Sequence, residues 1–396
     1  MKKIDKYNIS VAEGLNFSGR SQFLKMEAKN KGIYIGEIPS NYMSGVSPTV
    51  IDELDLFSYK SSEATKKGVD ELISKLSFNR LFESNPFLLS GGEQVMLIIL
   101  SSILSEPKII AIDTAIEQLS EEWKVPLFTL ILEKLKHQKF ILSDNRIEEY
   151  KIPFEGKQFA ESKKIYESKF NKPSLIKLKN EISSEVVTIN NLWFGYKKNN
   201  PILKSLNLVL EPGTIYFLKG TNGAGKSTLA KILSGVLQVR KGEIQVNKSN
   251  YNPYKIPGNL FGYSFQNPDE QLFSRTVENE ILIPIKNEND GYKERRELFL
   301  KMFGLENVRG LHPAELPFVM RKRIALASTL ANDRPWYIID EPTIGQDDNY
   351  TNFLEILFTY LASIGKGIVV ISHSINFISK FEAKTLYLDN GCLTIN

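Results

Sequence analysis

Short runs in the second half of the chain are apolar at nearly every position. Val186–Ile189, Thr214–Leu218, Trp336–Ile339 and Ile368–Ile371 each read as a strand buried on both faces. Between them Leu229, Ile232, Leu233, Val236 and Leu237 recur at i, i+3, i+4, i+7 and i+8, one helical stripe. Strands alternating with helices predict an α/β domain with a largely parallel sheet. The first half repeats this order. Leu89 lies 24 residues before Asp113, which ends the strand Lys108–Ile112, and Leu316 lies 24 residues before Asp340. The next apolar strands end at Asp144 and His373, 31 and 33 residues beyond those aspartates. Four landmarks at matching spacings predict two copies of one domain. Residues from about 146 to 185 are rich in Lys, Glu and Ser without apolar periodicity, and read as a closing edge followed by a linker.

Composition narrows the class. The 396 residues are 42% hydrophobic and 24% charged, values of an ordinary globular chain long enough for two or three domains. A formal charge of +4 is too even to imply nucleic acid as the main partner. One cysteine, Cys392, excludes an internal disulfide, and three histidines leave little for a Cys/His zinc site. The longest strongly apolar run, Val95–Leu104, has ten residues, about half of a membrane span. No apolar stretch follows the charged start, so no secretion signal is expected.

The chemistry begins at Gly220-Thr221-Asn222-Gly223-Ala224-Gly225-Lys226-Ser227, which fits G-x-x-x-x-G-K-[ST] between a strand and an amphipathic helix. Glycines let backbone wrap phosphates, and a helix N-terminus favours their charge. Lys226 would reach the β- and γ-phosphates, Ser227 would ligate Mg²⁺, and Thr228 follows in the same turn. With 25 glycines in the chain, chance supplies roughly 0.02 such matches. Asp340, at a strand end, would hold the magnesium, and Glu341 beside it would polarise the attacking water.

In this order the residues resemble the ATP-binding cassette (ABC) ATPases over nearly the whole chain. The resemblance makes Tyr196 the aromatic that stacks on adenine, and Gly220 to Ser227 the Walker A loop. It makes Gln266 the Q-loop glutamine near the metal, Asp340 and Glu341 Walker B, Asp347 part of the D-loop, and His373 the γ-phosphate-sensing histidine. In the first half Leu89-Ser90-Gly91-Gly92-Glu93 resembles the family signature. Taken singly, Tyr196 would read as a packed strand aromatic and His373 as structural. Gln266-Asn267-Pro268-Asp269-Glu270-Gln271-Leu272-Phe273, followed by Thr276-Val277-Glu278, is similar to the ATPases of energy-coupling-factor and cobalt-type transporters. In those, this acidic segment docks on an integral-membrane scaffold protein; as bare chemistry it also fits a Pro-containing turn with a solvated acidic face.

ABC domains pair head to tail, so each ATP meets the P-loop of one domain and the signature of the other. One site has Lys226, Ser227, Gln266, Asp340, Glu341 and His373, faced by Ser90, Gly91 and Gly92. It is expected to hydrolyse ATP. The opposite site has Gly14-Leu15-Asn16-Phe17-Ser18-Gly19-Arg20-Ser21 for a P-loop, Thr114 for the catalytic glutamate, Asp144 for the histidine and Glu37 for the glutamine. Arg is no substitute for a compact ammonium there. Its signature is Leu316-Pro317-Phe318-Val319-Met320, where Pro317 has neither hydroxyl nor N–H and Phe318 and Val319 put side chains where glycine allows approach. It is expected to be dead. Only 13 residues precede Gly14, against 34 between Val186 and Gly220, so the first copy is expected to lack most of the antiparallel strands.

The expectation is an α/β chain of two ABC-type P-loop NTPase domains in tandem, each with a helical subdomain. Residues 1–160 form the truncated, degenerate copy, 161–185 the linker and 186–396 the intact copy. ATP and Mg²⁺ are the expected cofactors. The expected partner is a membrane scaffold contacting Gln266–Phe273, with Tyr34–Glu53 retaining the spacing of a second contact, one chain per transporter, on the cytoplasmic face of the membrane. A soluble ABC ATPase of translation or DNA metabolism, and an ATP-gated regulatory or immunity switch, remain the alternatives.

Overall fold

The computed structural model describes residues 8–13, 19–29, 32–119, 121–143, 153–158, 185–197, 200–221, 223–282 and 290–395. The chain divides into two compact units, Met1–Ile165 and Tyr166–Asn396. Among the described residues no helix is long and apolar enough to cross a membrane.

The first unit runs β1 (Ile9–Glu13), α1 (Arg20–Ala28), β2 (Gly32–Ile35), α2 (Val50–Ser58), α3 (Glu63–Lys75), α4 (Gly91–Leu104), β3 (Ile109–Asp113), α5 (Glu121–Lys134), β4 (Lys139–Ser143) and β5 (Glu155–Gln158). Its five strands form one sheet in the order β2-β3-β4-β1-β5, parallel at every pairing. Helix α4 is apolar all round, with Val95 to Leu100 buried, because α2 and α3 pack on it. Strand β5 closes the sheet beside β1, within the stretch read as a closing edge.

The second unit runs β6 (Val187–Phe194), β7 (Leu203–Leu210), β8 (Ile215–Lys219), α6 (Lys226–Leu233), β9 (Lys241–Val246), β10 (Ser249–Tyr251), β11 (Phe261–Ser264), α7 (Val277–Leu282), α8 (Asp290–Met302), α9 (Phe318–Ala331), β12 (Trp336–Asp340), α10 (Asp348–Ser363), β13 (Gly367–Ile371), α11 (Ile375–Ile378), β14 (Lys384–Asp389) and β15 (Cys392–Ile395). Its main sheet has the order β11-β12-β13-β8-β14-β15, parallel except for the terminal β14–β15 pair. Strands β12 and β13 are buried at every position, which is why they are apolar throughout. Leu192, Leu206, Leu208 and Ile244 from a separate antiparallel sheet, β10-β9-β6-β7, join the same core. Helices α7 and α8 pack on α9.

Position by position, β2-β3-β4-β1-β5 has the strand order of β11-β12-β13-β8-β14. Among the described residues the first unit has no counterpart of the antiparallel sheet. One element differs from the sequence pattern: α6 ends at Leu233, so Val236 and Leu237 lie beyond the helix. Gly235 terminates it in the left-handed region at φ 83°, where an added Cβ would lie 2.3 Å from the Pro253 carbonyl oxygen.

Candidate functional site

The chemistry-bearing residues of the second unit converge at the C-terminal ends of β8, β12 and β13. Strand β8 feeds the glycine loop, and α6 begins at Lys226. Gly220, at φ 150°, approaches the Leu388 carbonyl so closely that a Cβ would lie 2.1 Å from its oxygen. No side chain fits, so the loop's path depends on glycine. Lys226 Nζ donates to the carbonyls of Gly220 (2.8 Å) and Thr221 (3.0 Å), which curls the loop around the ammonium. Gly223, Ala224 and Gly225 complete the turn, and Thr228 is buried behind it. Asn222 lies outside the described residues.

Asp340 ends β12 with its carboxylate buried. Its Oδ2 accepts from Ser227 Oγ at 2.9 Å and from the Tyr263 phenol at 3.2 Å. Burial, with the Glu341 carboxylate beside it, lifts Asp340 above the usual carboxylate range, against the pull of Ser227, the Lys322 ammonium and Tyr263. A buried, oxygen-only pair of hydroxyl and carboxylate suits a hard cation such as Mg²⁺. Glu341 sits at φ 49°, its amide bonded to the Ile371 carbonyl, and His373 Nε2 lies 3.7 Å from its Oε1. The carbonyl of Gln266 accepts from Lys322 Nζ at 2.8 Å. Burial pulls Lys322 down to about 8, against the attraction of Asp340 and Glu341.

The lifted Asp340 has a consequence for stability. A folded-state pKa above the unfolded value means the native state binds the proton more tightly, so its ionised form opposes folding above the unfolded pKa. Asp340→Asn is therefore expected to raise the unfolding free energy at pH 7, without nucleotide, by about 0.5–2 kcal/mol. In urea titrations the gain should shrink as pH falls through the folded pKa, because Asp340 then carries its own proton.

Tyr196 stands just past β6, 56% exposed, edge-on to Phe194 at 5.3 Å. It is not packed into the sheet. Arg240 holds its carbonyl at 3.2 Å. The 266–273 segment is less free than its sequence implies: Asp269 pairs with Arg321 at 3.0 Å and Glu270 lies 3.9 Å from Lys231. Asp269 and Glu270 nevertheless stay exposed, and Phe273, at 75%, adds an apolar side chain to the same surface.

In the first unit Ser90, Gly91 and Gly92 open α4. Ser90 N and Oγ both donate to Glu93 Oε2, at 3.0 and 2.7 Å, so the Glu93 carboxylate caps the helix and also meets Arg80 at 3.4 Å. Thr114 has the backbone of Glu341, at φ 56° with its amide on Ser143, but a hydroxyl bonded to its own neighbour's carbonyl. Arg20 is buried at the start of α1. Residues 14–18 of that loop, Asp144, and all but the last residue of the 161–185 linker fall outside the described residues. In the 316–320 segment Phe318 and Val319 are buried, Val319 against Gly345. The segment lacks hydroxyl and N–H at Pro317, and the Val319 carbonyl is taken by Gln346 Nε2 at 2.9 Å.

Four pairings escaped the sequence reading. Tyr34 donates to Asp113 (2.7 Å) as Tyr263 does to Asp340, and both tyrosines stand three residues before Glu37 and Gln266. Buried Glu53 accepts from Ser44 N at 2.8 Å, and buried Glu280 accepts from Ser274 N at 2.8 Å. The equal offsets of those tyrosines were the available signal.

The ABC transporter family profile matches residues 203–344. A Thermotoga maritima protein named energy-coupling factor transporter ATP-binding protein is 32% identical over 210 residues, 52% of this chain and 80% of that protein. The chain belongs to the ABC transporter ATP-binding proteins. A Clostridium tetani relative provisionally named an ABC transporter ATP-binding protein is 28% identical over 380 residues, 82% of this ABC protein and 85% of its own length. A solved Clostridium perfringens structure, described as part of an ABC transporter complex, matches 53% of the chain and 87% of its own, at 25% identity and a TM-score of 0.47. ABC cassettes are ATPases, and ATP with Mg²⁺ is the family's ligand pair.

Proposed function

We propose that this chain is the ATP-hydrolysing subunit of an energy-coupling-factor-type membrane transporter, built as two fused cassettes of which the first is truncated. One composite site works: the second unit's Lys226, Ser227, Asp340, Glu341 and His373, completed by Ser90, Gly91 and Gly92. The opposite site, from Arg20, Thr114 and the Pro317 segment, is dead. The observation that carries this reading is the division of parts: Ser227 bonds Asp340 beside Glu341 in one unit, and the intact glycine-serine helix start lies in the other.

Lys226 and the loop amides would hold the phosphates, and Tyr196 the base. Ser227 and Asp340 would hold Mg²⁺, with Gln266 near it; the ion offsets the charge that builds on the phosphates. Glu341, oriented by its fixed backbone and by His373, would accept a proton from the attacking water. Ser90 and the α4 N-terminus gain a partner only while the γ-phosphate is present, so hydrolysis removes a contact that favours the closed state. A membrane scaffold docked on the Gln266–Phe273 loop would feel that change, with the subunit on the cytoplasmic face.

Equilibrium binding to the Glu341→Gln protein tests the count of sites. About one tightly held ATP per chain is expected; two of equal affinity would contradict the dead site.

A further inference from the structure

Lys322 is a buried cation of the second unit. It lies on α9, five residues past Pro317, with 6% of its surface exposed. Its Nζ donates to the Gln266 carbonyl at 2.8 Å and to the Asp340 carbonyl at 3.4 Å. It also lies 5.8 Å from the centre of the Phe318 ring, one turn back along the helix. One ammonium thus touches the residue that opens the 266–273 loop and the peptide joining the two Walker B carboxylates.

The first unit solves the same problem differently. There the equivalent helix position is Val95, fully buried and apolar. The carbonyl of Glu37, at the place of Gln266, is held by Gln118 Nε2 at 2.8 Å, from the turn after β3. That bond ties the loop to its own sheet. The bond from Lys322 ties it to the helical layer instead, and only in the unit with the complete Walker residues. Burying an ammonium is costly, so two backbone acceptors and nearby carboxylates are the conditions under which it persists.

We infer that Lys322 is a positioning residue for ATP turnover, holding the Gln266 turn and the Asp340–Glu341 peptide in register with α9. Its two hydrogen bonds go to the Gln266 and Asp340 carbonyls, so it acts through Gln266, Asp340 and Glu341. Movement of the scaffold-facing loop or of α9 therefore reaches the carboxylates through one side chain. The inference rests on the site proposed above and adds the residue that links it to the helical layer.

The test compares the full-length wild type with Lys322→Met and Lys322→Gln, measuring kcat, ATP affinity and thermal melting, with Glu341→Gln as reference. Lys322→Met should lower kcat by about 10- to 100-fold while the Kd for ATP stays within about threefold. Lys322→Gln keeps an N–H donor and should recover part of that loss. Should the Met protein be too unstable to purify, the Gln protein alone reads the same split, with reduced kcat at unchanged affinity. Wild-type kcat in Lys322→Met, parallel losses of kcat and affinity, or a Gln variant no better than Met would each overturn the inference. Wild-type turnover independent of Glu341 would refute the proposed site instead, so the two failures are distinguishable.

Discussion

Glu341→Gln should reduce steady-state ATP turnover about 100-fold or more, with little change in ATP affinity. The substitution keeps shape and removes the carboxylate proposed to take a proton from water. Its backbone is unusual: a non-glycine residue at φ 49°, pinned through its amide to Ile371 at the end of the neighbouring strand. That strain aims the side chain, and His373 lies against it at 3.7 Å. Thr114 shares the same backbone geometry in the first unit and has no carboxylate. Thr114→Val is accordingly expected to leave turnover within about twofold of wild type, because the site built on Thr114 is the one proposed to be dead. A wild-type rate in Glu341→Gln, measured by phosphate release, would remove the catalytic residue from the account.

The second large effect should come from the other unit. Ser90→Arg is expected to abolish turnover by about 100-fold or more, although residue 90 belongs to no Walker motif. It replaces a small hydroxyl at a helix start by a long side chain where the proposed site brings a γ-phosphate. Because Ser90 also bonds Glu93, the substitution removes a cap worth about 1 kcal/mol. Ser90→Thr separates the two effects: it keeps hydroxyl and cap, and should stay within severalfold of wild type. Pro317→Arg, at the matching position of the second unit, should leave turnover nearly unchanged. Equal losses in Ser90→Arg and Pro317→Arg would mean two working sites, and no loss in either would mean that no signature completes the site.

Legibility in the sequence followed from how close the partners lie along the chain. The glycine loop, its lysine and the helix it opens are contiguous, and the Walker B pair sits on a strand whose burial on both faces writes itself as an apolar run. The parallel order of the first unit was readable for the same reason, from strand ends at matched distances. Polar contacts made across the fold leave no such trace. Tyr263 reaches Asp340 from 77 residues away and Lys322 reaches Gln266 from 56, and neither pairing carries a period. The edge strand β10 and its neighbour β9 are largely exposed, so no apolar alternation marked them.

The central claim is that a γ-phosphate held by Lys226 is also met by Ser90. Orthovanadate, trapped with ADP in the γ-phosphate position and irradiated, cleaves the backbone wherever residues touch it. Mapping the fragments should give two cuts, one within 220–227 and one at or beside Ser90. Cleavage confined to 220–227, or an equal cut near Pro317, would contradict it.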